Sequence, residues 1–188
     1  MAESLQGKFL VATRQLRDPN FYRTVVLLLE HSQDSAMGLV INRPSSISMD
    51  TAMEKLKVPT KFTDPIYAGG PVETSALFIL HSCQELGKLD VEVADGVFVT
   101  GSHDSFESLV SKGASCSHDC AFRIYCGYSG WGADQLEGEI QRGDWRLMPA
   151  ECGIVFQRDP YDIWEQCTQR LQELGRMLPH DIRNADWN

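Results

Sequence analysis

Residues 122–142, F-R-I-Y-C-G-Y-S-G-W-G-A-D-Q-L-E-G-E-I-Q-R, restrict the possible folds more than any other part of the chain. An apolar run rich in aromatics, 122–128, meets four residues holding two glycines, and a helical pattern follows with Leu136 and Ile140 one turn apart. The pattern predicts strand, tight turn and helix. Gly127, Gly130 and Gly132 allow positive φ and close approach to a neighbour, and free N–H groups at a helix start suit an anion. The expectation is a small recess beside the bend. The order G-x-x-G-x-G is not the dinucleotide fingerprint G-x-G-x-x-G.

The remaining segments supply strands in hairpin-like runs separated by single helices. Residues 9–13 read as a short strand, and 17–20 (R-D-P-N) as a turn whose proline cannot continue a ladder. Residues 24–30 (T-V-V-L-L-L-E) have the profile of a central strand buried on both faces, and 36–42 (A-M-G-L-V-I-N) return from it through a turn at 32–35. A helix capped by Ser48 or Asp50 is predicted over 49–56. Residues 66–68 then enter a Gly69-Gly70-Pro71 corner, where the backbone is open to a ligand or to another backbone. Residues 77–81 form a buried strand, and 91–94 and 97–100 flank Asp95-Gly96, the strongest short hairpin signal present. A helix over 103–111, two short strands within 146–156 around Pro149, and a long helix capped by Asp159 with Pro160 as its first residue complete the reading. The polar tail, 179–188, is expected to be loosely held. This order favours an α+β class with a mostly antiparallel sheet, in one domain spanning 1–188.

Charge and composition exclude several function classes. The net charge of −9 disfavours binding to phosphate backbones, so nucleic acid is not an expected partner. No apolar run approaches the length of a membrane span, and M-A-E-S-L-Q-G-K lacks the pattern of a secretory leader, so a cytoplasmic address is expected. There the six cysteines would be thiols. No cofactor motif is present.

Three constellations bear on chemistry. Cys116, His118 and Cys120 are metal-ligating types, but their spacing differs from the common zinc knuckles, and no metal is assigned. Cys83 near His81, or Cys126 before the glycines, supplies a thiol for a Cys/His hydrolase, without a third orienting group; both cysteines also suit a core. Arg43, before Pro44 in extended backbone, is directed toward the Gly69–Gly70 corner as a cation beside open main chain. In the helix that follows the glycines, Glu137 flanks the buried stripe of Ala133, Leu136 and Ile140 and is the carboxylate best placed to reach a polar group at the core edge. Gln135 points away from that stripe, and Trp131 acts as a packing plug or a lid over the glycines. The recognition surface expected from these residues comprises Arg43, Gly69, Gly70, Gly130, Trp131, Gln135 and Glu137, with no complete catalytic set.

Several blocks in order resemble the AlgH family, also called YqgE: G-K-F-L-V-A-T at 7–13, D-P-N-F-Y-R-T-V at 18–25, A-M-G-L-V-I-N-R-P at 36–44, Y-A-G-G-P-V at 67–72 and G-Y-S-G-W-G-x-x-Q-L-E-x-E-I at 127–140. The resemblance implies a bifurcated, largely antiparallel sheet curled into a partial barrel with helices outside. It implies little chemistry, although one branch of the family carries the label of a regulator of gene expression. The chain departs from the family pattern at Arg14 (proline), Ser35 (glycine) and Asp134 (glycine). The function expected is binding or regulation through a protein or small ligand. The alternatives are the thiol-dependent hydrolase and a transcription-related regulator without strong direct DNA contact. Oligomeric state is left open.

Overall fold

The computed structural model describes residues 4–48, 65–85, 90–101 and 120–177. The helices expected over 49–56 and 103–111, the tail 179–188, and Cys116 with His118 lie outside the described residues. The strands are β1 (Lys8–Ala12), β2 (Val25–His31), β3 (Ser35–Val40), β4 (Pro44–Ser48), β5 (Pro65–Ala68), β6 (Val72–His81), β7 (Val91–Ala94), β8 (Val97–Thr100), β9 (Phe122–Gly132) and β10 (Trp145–Pro149). They pair in the order β10-β1-β2-β3-β9-β6-β8-β7, with β4 and β5 as a side branch. Among the described residues all pairings are antiparallel except β5 on β9. The three described helices are α1 (Gln135–Gln141), α2 (Cys152–Val155) and α3 (Ile163–Met177), the last entered through a 3-10 turn, Pro160–Asp162.

The sheet is bifurcated and curls into a half-barrel, and β9 is the strand at which it divides. The C-terminal part of β9 pairs with β3, Gly38 opposite Ser129 through Ser35 opposite Gly132. Its N-terminal part pairs with β6 on one side, and Tyr125 and Cys126 pair with Tyr67 and Ala68 of β5 on the other. Strands β1 and β2 are buried on both faces, as the unbroken apolar run predicts. Phe9, Val11, Val25, Leu27 and Leu29 enter one core layer, packed with Ile163, Trp164, Cys167 and Leu171 from the last helical segment. Leu10, Ala12, Val26 and Leu28 enter a second layer with Trp131, Leu136 and Trp145.

The turn expected within 129–132 is not there. Those residues continue the strand because β3 supplies a full ladder for them, and the bend moves to Ala133–Asp134. Asp134 takes the left-handed conformation (φ 58), which explains why the family pattern has glycine at this position. It also shortens α1 to seven residues starting at Gln135, leaves Ala133 exposed rather than on the helical stripe, and gives the helix no side-chain cap. The second short strand expected after Pro149 is the helical turn α2. Ile154 and Val155 are both buried there, a demand that one turn of helix meets and that a strand facing two sides does not. The β2–β3 and β7–β8 hairpins, and the Asp159 cap that accepts from the Tyr161 N–H at 2.9 Å, are as expected.

The glycine corner is filled by main chain. A Cβ placed on Gly69 or Gly70 would lie under 3.0 Å from the backbone of Gly127 or Tyr128, and one on Gly127 would meet the Gly70 and Val72 oxygens at 2.6 and 2.9 Å. Gly127 also has φ +69. Gly127→Ala is therefore expected to destabilise the fold by roughly 2–4 kcal/mol, whereas Gly132→Ala, which meets nothing within 4 Å, should change it by less than about 0.5 kcal/mol. Urea unfolding of the two variants checks the contrast.

Candidate functional site

The residues expected to form one recognition surface fall into three places. Arg43 turns away from the glycine corner: its guanidinium donates to the Asn20 carbonyl at 2.6 Å and the Tyr22 carbonyl at 3.3 Å. Beside it, Asn42 accepts the Val25 N–H and donates to the Arg23 carbonyl, both at 2.9 Å, so Asn42 and Arg43 together hold the loop between β1 and β2. Gly69 and Gly70 lie against β9. The Gly69 N–H donates to Cys126 O, and Gly69 O accepts from Val40 N–H and the buried Ser129 hydroxyl. The Gly69 amide that would have faced a recess is already committed.

Gly130, Trp131, Gln135 and Glu137 do lie at the α1 end of β9, where Trp131 and Gln135 meet a residue that the sequence reading passed over. Glu139 accepts the Trp131 indole N–H at 2.9 Å and the Trp145 indole N–H at 2.8 Å on one carboxylate oxygen. Its other oxygen accepts from the Gln135 amide at 3.1 Å, and the Gln135 carbonyl in turn accepts the Gly132 N–H. Phe21 stacks on Trp131 at 6.1 Å and meets Trp145 edge-on at 5.4 Å. Trp131, 4% exposed, is thus a packing plug. The signal for Glu139 was its place at i+4 from Gln135 on the same helical face.

Glu137 reaches the core edge as expected. His31 Nδ1 accepts the Leu5 N–H at 3.2 Å, so Nε2 carries the proton and donates to Glu137 Oε1 at 2.8 Å. The residue's own backbone bond and the His31 bond hold the Glu137 carboxyl below its ordinary value. This cluster is a set of satisfied groups that fastens α1 to the sheet.

An open cleft lies instead at the other end of β9. It has a volume of about 940 Å³ and is walled by four segments distant in sequence: Pro44 to Ser46 on β4, Pro65 and Tyr67 on β5, 120–123 leading into β9, and 156–161 between α2 and the last helix. Tyr67, Phe122, Phe156 and Tyr161 make it aromatic. Among the described lining residues there are two arginines and no carboxylate. Arg123 lies over the Tyr67 ring at 4.7 Å and donates to the Val155 and Gln157 carbonyls, tying β9 to the end of α2. Arg158 is exposed and, among the described residues, makes no hydrogen bond or ion pair. Tyr125, packed on Tyr67 at 5.4 Å, is fully buried, and burial pushes its phenol up against the opposing pull of the nearby Arg123.

Among the described residues no activated thiol accompanies this cleft. Cys83 and Cys120 are joined as a disulfide, which corrects the expectation of six thiols; their Cα atoms, 5.0 Å apart, lie within bridging distance. His81, beside Cys83, has both ring nitrogens engaged. Nδ1 accepts the Cys83 N–H at 3.2 Å and Nε2 donates to Asp90 at 3.0 Å, so the ring is not available as a base toward sulfur. Burial pushes the Cys126 thiol up, the reverse of activation. Among the described residues no group of three or more His, Cys, Asp or Glu is placed to hold a metal. No described helix is long and apolar enough to cross a membrane.

A family model described as AlgH-like (DUF179) matches residues 9–174. The UPF0301 protein IL2218 of Idiomarina loihiensis is 35% identical over 187 residues, covering 97% of this chain and 99% of that one. The UPF0301 protein SPO0296 of Ruegeria pomeroyi is 36% identical over 172 residues, covering 89% and 91%. Among solved structures, the AlgH protein from Pseudomonas aeruginosa superposes with a TM-score of 0.74 at 32% identity over 96% of this chain and all of that one. Protein DIP2367 from Corynebacterium diphtheriae shares the fold, with a TM-score of 0.71 at 23% identity over 90% of this chain and 88% of that one.

Two outcomes follow from the α1 cluster. Glu139→Ala strands the N–H groups of two buried indoles and is expected to cost roughly 2–4 kcal/mol, with a red shift of tryptophan emission before unfolding. Glu137, depressed in the folded state, contributes stability that is present in full above the ordinary glutamate value and is lost as pH falls through the lower folded value. Urea midpoints measured from about pH 6 to about pH 3 should therefore fall less steeply in Glu137→Gln than in the parent chain.

Proposed function

The chain belongs to the AlgH-like family, and from that premise we propose that it is a binding protein whose recognition site is the cleft at the N-terminal end of β9. The ligand class is an anionic group attached to a flat apolar body, on a small molecule or a partner's side chain. The observation that carries this reading is Arg158, an exposed guanidinium without a partner among the described residues, in a wall free of described carboxylates, on a chain of net charge −9. Against that overall charge, a local cationic wall singles out anions at this one place.

The aromatic residues supply contact area, and Arg123 is already held in place by two carbonyls and the Tyr67 ring. Arg158 is left to make the charge-assisted bond, worth about 1.5–3 kcal/mol to a partly desolvated anion. The cleft volume suits a small molecule or a few side chains rather than a nucleic-acid duplex. The cytoplasmic address expected from the sequence is part of this proposal.

The probe is 8-anilinonaphthalene-1-sulfonate, an aryl sulfonate that joins both features of the ligand class. It is expected to move the amide NMR signals of Phe122, Arg123 and Arg158. Arg158→Ala should weaken it about tenfold, and Arg43→Ala, whose guanidinium is committed to the Asn20–Tyr22 loop, should leave it unchanged. Equal affinity in Arg158→Ala, or signals that move only around α1, would sink the proposal.

A further inference from the structure

We propose that Cys83 and Cys120 form a thiol–disulfide exchange site, opened from the cleft at the Cys120 sulfur by a low-molecular-weight thiol. The pairing follows from strand register. Strands β6 and β9 pair Leu80 with Arg123 and His81 with Phe122. Beyond the end of that ladder, Ser82 N–H donates to Ala121 O at 2.9 Å and Ala121 N–H donates to the Ser82 hydroxyl at 2.9 Å. The next residues, Cys83 and Cys120, therefore fall opposite one another, with Cα atoms 5.0 Å apart.

The two sulfurs differ in access, and this decides the direction of attack. Cys83 is 2% exposed, and its N–H is held by His81, which is itself fixed by Asp90 and stacked on Phe98 at 5.4 Å. Cys120 is half-buried and lines the cleft. A thiolate entering the cleft meets Cys120 first. The free cysteines among the described residues, Cys126, Cys152 and Cys167, are unpaired with one another, and burial pushes each thiol up.

The exchange balances without an outside oxidant. A thiolate RS⁻ attacks Cys120 Sγ, a new S–S bond forms there, and the Cys83–Cys120 bond breaks with its electron pair leaving on Cys83, which takes up a proton. A second thiolate attacks the R-bearing sulfur and releases R–S–S–R and the Cys120 thiolate, which is protonated in turn. Two thiols are oxidised and one protein disulfide is reduced. The consequence is local: residues 120–123, one wall of the cleft, are tied to the chain just past β6 by a covalent link as well as by ladder hydrogen bonds in the oxidised form, and by the hydrogen bonds alone in the reduced form.

The inference rests on the cysteine pair and on access through the cleft, and it is independent of which anion binds there. The test uses the full chain equilibrated in oxidised and reduced glutathione, quenched in acid, alkylated and mapped by mass spectrometry. The expected result is a linked Cys83–Cys120 peptide under oxidised glutathione that converts, in the folded protein, to free thiols through a glutathione adduct on Cys120. The amide signals of Ala121, Phe122 and Arg123 should shift between the two forms. Cys83→Ser should retain glutathione on Cys120, while folded Cys120→Ser should acquire it at Cys83 at least tenfold more slowly. Where a serine variant fails to fold by circular dichroism, the position of the quenched adduct in the parent chain decides. Absence of the linked peptide under oxidising conditions, a link that opens only on denaturation, or an adduct found first on Cys83 would each overturn the proposal. Failure of the sulfonate probe to bind would leave these outcomes untouched, so the two readings fail separately.

Discussion

Two lengths of bare main chain pressed together hold the half-barrel at its branch point. Gly69 and Gly70 on one side and Gly127 and Tyr128 on the other approach so closely that a single added methyl would collide with backbone. Only because that contact is possible can β9 leave its β6 and β5 partners and continue as a partner of β3. The glycines serve the crossing of strands rather than a ligand. The hydrogen bonds there, Gly69 N–H to Cys126 O and Ser129 hydroxyl to Gly69 O, commit both main-chain groups of Gly69 to the crossing.

From the crossing, the two halves of β9 lead to different chemistries. The C-terminal half carries Trp131 into a layer in which Glu139, Gln135, Trp145 and Phe21 satisfy one another, so the loop before β2, the helix α1 and the strand β10 are fastened together. The N-terminal half carries Phe122 and Arg123 to an open wall near Arg158, a cation uncommitted among the described residues. One end is saturated with internal bonds and the other keeps bonding capacity in reserve, and this asymmetry directs functional attention away from the most distinctive sequence block.

Much of the fold was legible in the sequence because its signals were local. The apolar run in β2, the Asp95-Gly96 turn and the Asp159-Pro160 cap each report their own geometry, and the ordered blocks of the AlgH-like family supplied the half-barrel. The site was less legible. Glycines at 127, 130 and 132 signal close approach but not what approaches, and here it was other backbone. Arg43 looked like a free cation, although the carbonyls that hold it, Asn20 and Tyr22, sit in another block. The cleft draws on residues near 44, 65, 121 and 158, which no periodicity links, and Arg158 has no neighbour in sequence that marks it as unpaired.

Gly127 has a further effect on how the two core layers are composed. Tyr125 and Tyr128 both pack in the layer that faces the last helix, although three positions separate them, while Trp131 enters the opposite layer. An uninterrupted strand would have sent Tyr125 and Tyr128 to opposite sides, so the kink adds one step of phase to the alternation. Removing a single residue beyond the kink, between Tyr128 and Trp131, would exchange inside for outside along everything downstream, burying Gly130 and turning the Trp131 indole away from Glu139. The spacing between the tyrosines and the tryptophan is therefore a counted length, and its tolerance for insertions and deletions is far lower than its tolerance for substitutions.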